Sequence, residues 1–314
     1  MRTRPDGGHL ARRAAIAVVQ LWGAATLCFA MLHLIPGDPV DIIMGNQALV
    51  SPELKAQVRA GYGLDDPVAV QYLRLLGELV RGDLGTSYQL QRPVWGALAE
   101  QVLPTAELAG AALLLAVLLA VGAAVLVPER SRVARAVFSG LEMVAVSLPQ
   151  YWLGILLITF LSLRWHLFPV IEAGTWRSLV LPAVAVALPI AGTLAQVLRE
   201  EMDTALAQPF VTAARARGAG ALAARTGHAL RHCLVPATTL TGWFIGSLLG
   251  GSVLIEQVFG RPGLGQVALT AVTNKDLPMV TGVVMLAAAV FVVVNLLVEV
   301  SYLVIDPRVR RDGT

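Results

Sequence analysis

Charged side chains are scarce in this chain. Only 14% of its 314 residues are Asp, Glu, Lys or Arg, where soluble domains carry about 25%. Lysine is nearly missing: Lys55 and Lys275 are the only two among 24 basic residues. A phosphate-binding loop needs Gly-Lys followed by Ser or Thr. Leu54 precedes Lys55 and Asn274 precedes Lys275, so no such loop exists here and any ATP must be hydrolysed on another chain. The two cysteines, Cys28 and Cys233, sit in apolar surroundings, which predicts no disulfide. No run of basic and aromatic residues suggests nucleic-acid binding. His228 and His232 stand four apart, but no glutamate adjoins the first and no third ligand is apparent, so they read as polar surface residues and not as a metal site. The apolar stretches hold no acid near their centres; Glu107, Glu142 and Glu299 fall near ends, leaving an ion-coupled carrier little to work with. Ser139 and Ser147 have no assignable histidine or acid partner, so a membrane hydrolase is poorly supported.

What the chain has in abundance is apolar sequence: 56% hydrophobic residues and a mean hydropathy of +0.69. Uncharged stretches near the bilayer-spanning length of about 20 residues run Ala14–Gly37, Leu108–Val127, Met143–Leu163, Ser178–Leu198, Cys233–Ile255 and Leu277–Val298. In lipid the backbone must satisfy itself, so these six are expected to be helices. The first is too long for a signal-peptide core and lacks a small-x-small cleavage site or a lipid-attachment box around Cys28, which predicts a retained helix. An orientation with both termini in the cytoplasm puts fifteen arginines at cytoplasmic ends: Arg2, Arg4, Arg12, Arg13, Arg130, Arg132, Arg135, Arg199, Arg215, Arg217, Arg225, Arg231, Arg308, Arg310 and Arg311. The outside loops then hold only Arg164, Arg177, Arg261 and Lys275, which fixes the expected topology.

The segment from Asp38 to about Gln101 is too long for a link and reads as a small extracytoplasmic subdomain with helical pieces. Pro52-Glu53 suits a helix start, Val70, Leu73, Leu76, Leu79 and Val80 recur at near-helical spacing, and Gly82-Asp83 and Gly85 mark a turn. It either receives a cargo-carrying protein or merely caps the bundle. Pro149, Pro182 and Pro189 lie inside expected spans, where they bend helices. Gly242, Gly246 and Gly250 form a small-residue stripe, for packing inside the chain or against a second membrane subunit. Gln150, Thr239, Ser247 and Asn295 are candidate polar residues of a pathway, although such residues also pack helices together.

The most informative stretch is the polar hinge Gln208–Pro236. Pro209 suits a first helical position and Gly218 a left-handed helix end. Between them Phe210, Ala213 and Ala214 are expected on one face, while Arg215 and Arg217 in the last turn suit the helix dipole. A short helix with one large anchor and small neighbours is shaped to lie in a partner's groove.

Read in order, the motifs LIPGDP at Leu34–Pro39, YGLDDPVAVQYLR at Tyr62–Arg74, RGDLGTSY at Arg81–Tyr88, SLPQYWLGILL at Ser147–Leu157, the hinge, GGSVLIEQVFGRPGLGQ at Gly250–Gln266 and VNLLVEVSYLVIDPRVR at Val294–Arg310 resemble one family almost end to end. It is the family of inner-membrane permease subunits of dipeptide, oligopeptide and nickel ABC importers, most like the B-type chain. The resemblance implies an all-α integral membrane protein with six transmembrane helices in the type I ABC importer permease fold. It implies residues 1–37 as tail and first helix, 38–101 as the outside subdomain, 102–305 as a five-helix core with a cytoplasmic coupling loop at 200–232, and 306–314 as a cytoplasmic tail. In that family the hinge docks on an ATPase subunit. By position Ala213, Ala214 and Gly218 match the signature, and Arg215, Ala216 and Arg217 its basic continuation; Thr212 replaces the charged residue common there. Phe210, Thr212, Ala213, Ala214, Arg215, Arg217 and Gly218 are thus the expected coupling residues, and Phe259, Arg261, Pro262 and Gly263 are expected to meet the binding protein. The implied partners are a second, C-type permease, two ATPase domains, an extracytoplasmic peptide-binding protein and membrane lipid. No cofactor is expected on this chain; ATP and Mg²⁺ belong to the ATPases. The location implied is the bacterial cytoplasmic membrane. The alternatives are a nickel or other metal-chelate importer and, from another class, a stand-alone secondary carrier or membrane enzyme.

Overall fold

The computed structural model describes residues 7–34, 40, 44, 51–61, 63–127, 131–169 and 175–305, and for 7–11, 32, 249–251 and 299–305 the backbone alone. The expected tail at 306–314, Arg2, Arg4, Arg130, most of the LIPGDP motif and the surroundings of Gly250 lie outside the described residues. Among the described residues the regular elements are all helices, with one isolated bridge between Thr86 and Pro93. Among the described residues four helices are long and apolar enough to cross a bilayer, or up to six spans if each of two bent pairs counts once. The chain divides into two compact units, Met1–Leu103 with Gln266–Val292 and Pro104–Gly265 with Val293–Thr314.

The first unit holds α1 (Gly7–Leu34), α2 (Pro52–Gly61), α3 (Val68–Val80), the start of α4 (Val94–Leu126), most of α11 (Leu264–Thr273) and the first part of α12 (Leu277–Ile305). Both short helices fall where sequence spacing predicts them. Ser51 Oγ accepts the Leu54 N–H at 3.3 Å at the head of α2. The Glu53 carboxyl sits below its usual range because a backbone N–H and the Ser51 hydroxyl favour the anion. On α1, the Thr26 hydroxyl donates to Trp22 O at 2.8 Å and so accepts from the Tyr72 hydroxyl of α3 at 2.6 Å. The turn after α3 uses Gly82 and Gly85, at φ 76° and 75°. Asp276 organises it from far along the chain. Its buried carboxylate accepts from the Ser87 hydroxyl, Tyr88 N at 3.1 Å, Gln89 N at 3.2 Å and Met279 N at 3.3 Å. One side chain thereby caps the N-terminus of α12 and pins the loop before α4.

The second unit is built on α7 (Trp176–Leu206). Its most apolar stretch is 61% buried, against 28% for α4, which makes it the central helix. It packs against α5 (Arg132–Ser147), α6 (Gln150–Leu157, prolonged by a π turn over Ile158–Arg164) and α10 (Leu230–Phe259). Leu181, Val186, Ile190, Leu194, Leu198 and Met202 of α7 share a core with Leu108, Ala112, Ala116, Ala120 and Ala124 of α4. The alanines recur every fourth residue, a small-residue face that lets helices approach closely. Gly242 does the same on α10, where a Cβ would strike Val298 of α12, so this member of the glycine stripe serves packing inside the chain.

The third expected span, Met143–Leu163, is corrected: it is not one helix. α5 and α6 meet at a bend of 101°. Leu148 and Pro149 are both extended, at ψ 127° and 128°. A residue before proline is pushed out of the helical region, so Pro149 starts a new helix and does not kink an existing one. Pro182 and Pro189 do lie inside α7 as expected.

At the crossing of α5 and α7, Gly192 has no room for a side chain: a Cβ would lie 2.9 Å from Val146 Cγ2 and 3.0 Å from Glu142 O. Gly192→Val should destabilise the fold by roughly 1–3 kcal/mol through overpacking. The measurement is thermal unfolding of the detergent-solubilised chain, and a midpoint equal to wild type would refute this packing.

Candidate functional site

The hinge begins where α7 ends, at Leu206. Pro209 takes the first position of α8 (Pro209–Ala216). Gly218, at φ 95°, closes it as expected, with Ala219 N–H donating to Ala214 O at 3.1 Å and Gly218 N–H to Arg215 O at 3.0 Å. These are the two bonds of a Schellman end, which satisfies carbonyls that a helix terminus otherwise leaves open.

The faces of α8 differ from the expected arrangement. Val211 and Ala214 are buried, at 0% and 2% exposure, against the chain's own core. Phe210, Thr212, Ala213, Arg215, Ala216 and Arg217 are exposed. Phe210 and Ala214 are therefore not on one presented face. The corrected outward face is Phe210, Ala213 and Arg217, at steps of three and four. Sequence does not reveal Val211 as the inward residue, because Phe210 beside it is the larger apolar residue and two turns are too few for periodicity to choose between them. The Phe210 ring lies 4.6 Å from that of His232, which gives this histidine a packing role at the start of α10.

After Gly220 the chain forms α9 (Ala221–Ala224), a π turn over Arg225–Ala229 and then α10. Ala224, Arg225, Ala229 and Cys233 are all buried. The hinge therefore consists of an exposed α8 fastened to an embedded return path.

At the other end of α10, Gly260 (φ 58°) ends the helix, with Arg261 N–H donating to Glu256 O at 2.9 Å. The fully buried Glu256 carboxylate accepts from the Thr105 hydroxyl at 2.8 Å, and Thr105 accepts the Leu264 N–H at 2.8 Å. A Cβ at Gly263 or Gly265 would collide with that carboxylate. The glycines of GRPGLG thus allow backbone to wrap a buried acid. Thr105 and Glu256 are invisible as a pair in sequence, since 151 residues separate them.

The four residues expected to meet a binding protein differ in exposure. Phe259 is 8% exposed and packs at Gly154. Gly263 is buried, and Arg261 pairs with Glu107 at 2.9 Å. Only Pro262 of the four is exposed. Of the candidate pathway residues, Thr239 and Ser247 stand eight apart on α10, donating to Val235 O at 3.0 Å and Phe244 O at 2.9 Å. Gln150 opens α6 half-buried, and Asn295 is exposed on α12. In the first unit an open cavity of about 750 Å³ is lined by, among others, His33, Asp65, Asp66, Glu78 and Asp83.

Four to six apolar spans among the described residues, with an exposed two-turn helix in an arginine-rich hinge, define a multi-pass membrane protein. Comparison with known proteins places it. Residues 112–311 match the family described as "Binding-protein-dependent transport system inner membrane component", and residues 8–109 match "Binding-prot-dependent transport system membrane comp, N-term". The chain belongs to this permease family. It is 36% identical over 311 residues to a provisionally named peptide transport system permease protein of Brucella abortus, covering 96% of this chain and 98% of that one. It is 32% identical to the dipeptide transport system permease protein DppB of Escherichia coli K12, covering 95% and 97%. Identity to the glutathione transport system permease protein GsiC of Salmonella paratyphi A is 34%, covering 91% and 93%.

The Thr105 hydroxyl bridges the Glu256 carboxylate and the Leu264 N–H, so Thr105→Val should cost about 1–3 kcal/mol by taking one hydrogen bond from a buried carboxylate and the acceptor from the Leu264 N–H. Thr105→Ser should stay near wild type. Thermal midpoints of both variants in detergent check this; equal midpoints for Thr105→Val and wild type would remove the network's importance.

Proposed function

We propose that this chain is the permease subunit of an ATP-driven importer that carries short peptides across the cytoplasmic membrane, with both termini and the hinge in the cytoplasm. The observation that carries the reading is α8, a helix fixed to its own chain by Val211 and Ala214 while Phe210 and Ala213 stay exposed. Such a helix transmits force, because a groove that grips its outer face also moves whatever its inner face is packed on. ATPase subunits holding ATP and Mg²⁺ supply the groove. Their closure displaces α8, and α7 and α10, which flank the hinge in sequence, carry the movement into the membrane. Nucleotide acts here through its different affinity for the two states.

The peptide assignment draws on the relatives' names, dipeptide and glutathione among them, glutathione being a tripeptide. Thr239, Ser247 and Asn295 are proposed to line the path together with a second permease. The exposed Pro262, on a loop stiffened by Glu256, is proposed to meet the peptide-binding protein.

Ala213→Arg puts a bulky cation on the exposed face without touching the buried one. It should leave the chain inserted, weaken capture of ATPase subunits and cut peptide uptake by about tenfold or more, within the usual range of coupling energies. Affinity purification from mildly solubilised membranes and uptake assays, each compared with wild type, read the two effects. Undiminished capture and uptake in this variant would end the docking proposal.

A further inference from the structure

Arg225 is an arginine of the hinge that is only 7% exposed. Its Nη1 donates to Val125 O at 2.8 Å and to Val127 O at 2.6 Å. Those carbonyls belong to the C-terminal end of α4, which stops at Leu126, with Val127 N–H turned back to Ala123 O at 3.1 Å. The last carbonyls of a helix have no partner along their own helix, and that end carries partial negative charge. A guanidinium placed there supplies donors and a compensating charge from a residue about a hundred positions away. Ala224 and Ala229, on either side, are both 0% exposed, so the backbone that delivers Arg225 is itself locked in the core. Arg225 also opens the π turn between α9 and α10, a distortion often found at functional positions.

We propose that Arg225 is a positioning residue that joins the hinge to α4, so that movement of α8 is applied to a third membrane helix besides α7 and α10. α8 packs on α9, and α9 leads directly to Arg225, so the path from the outward face to the end of α4 is short and made of packed elements. The link is polar and directional. It resists both approach and withdrawal, which purely apolar contact at the same place does not. Lysine offers a compact ammonium on a flexible stem and cannot reproduce the planar fork, whereas glutamine also loses the charge.

This inference rests on α8 being the docking helix. The test uses the complete importer, reconstituted in liposomes with its partner permease, ATPase subunits and binding protein, and carrying Arg225→Lys or Arg225→Gln. Arg225→Gln should capture ATPase subunits and hydrolyse ATP as wild type does, while uptake per ATP falls about tenfold or more; Arg225→Lys should lie between. A spin label at Leu126→Cys reads the helix itself, since Leu126 is 71% exposed and Cys28 and Cys233 are buried. The label's response to ATP should be present in the chain that keeps Arg225 and lost in Arg225→Gln. Two results overturn the proposal: an unchanged label response in Arg225→Gln, or uptake falling only in step with the amount of assembled complex in both variants. If Ala213→Arg leaves ATPase capture intact, it is instead the docking reading that fails, whatever Arg225 does.

Discussion

A helix end inside an apolar protein is the hardest place to satisfy the backbone, because water is not there to accept or donate. This chain meets that constraint with polar side chains brought from far along the sequence. Asp276 sits at the N-terminus of α12 and ties down the loop at Ser87–Gln89. Arg225 closes the C-terminus of α4. Thr105 and Glu256 hold the first amide of α11 beside the end of α10. At other helix ends glycine serves instead, at Gly218 and Gly260. The side-chain devices are buried. Loops fixed in this way move as parts of the helices they join.

The hinge makes the same point on a smaller scale. Eight residues are too few to form a stable helix alone, so α8 depends on burying Val211 and Ala214 and on its Schellman end. That dependence is useful in a permease, since a helix that folds only against its own chain cannot be gripped without disturbing that chain. On the outward face the small Ala213 lies between the exposed Phe210 and Arg217. The exposed Phe210 is braced on His232, which limits how far its ring swings.

Much of this is legible in the residues themselves. Long uncharged runs specify the helices, because in lipid length and apolarity dominate. Pro209 and Gly218 mark the bounds of α8 through backbone geometry that few other residues share. The inward face of α8 is not legible, because two turns carry too little periodic signal to group Ala214 with Val211 and not with Phe210. Nor can Arg225, Thr105 and Asp276 be read as partners of anything. A lone polar residue near a span end looks the same whether it faces water or a carbonyl a hundred residues away. The break at Leu148–Pro149 lies inside an uncharged run, Met143–Leu163, whose hydropathy does not record direction, and Pro149 alone does not tell a kink from a new helix.

That break has a consequence for the surrounding lipid. Beyond Pro149 the helical arm comprises eight residues of α6 and seven of the π turn. At 1.5 Å per residue it reaches about 22 Å, short of a hydrocarbon layer about 30 Å thick. Tyr151 and Trp152 stand near one end and Trp165 near the other, all exposed, as rings that favour the headgroup level. An arm of this length is too short to cross such a layer alone, whereas α4 and α7, at 33 and 31 residues, are long enough to do so.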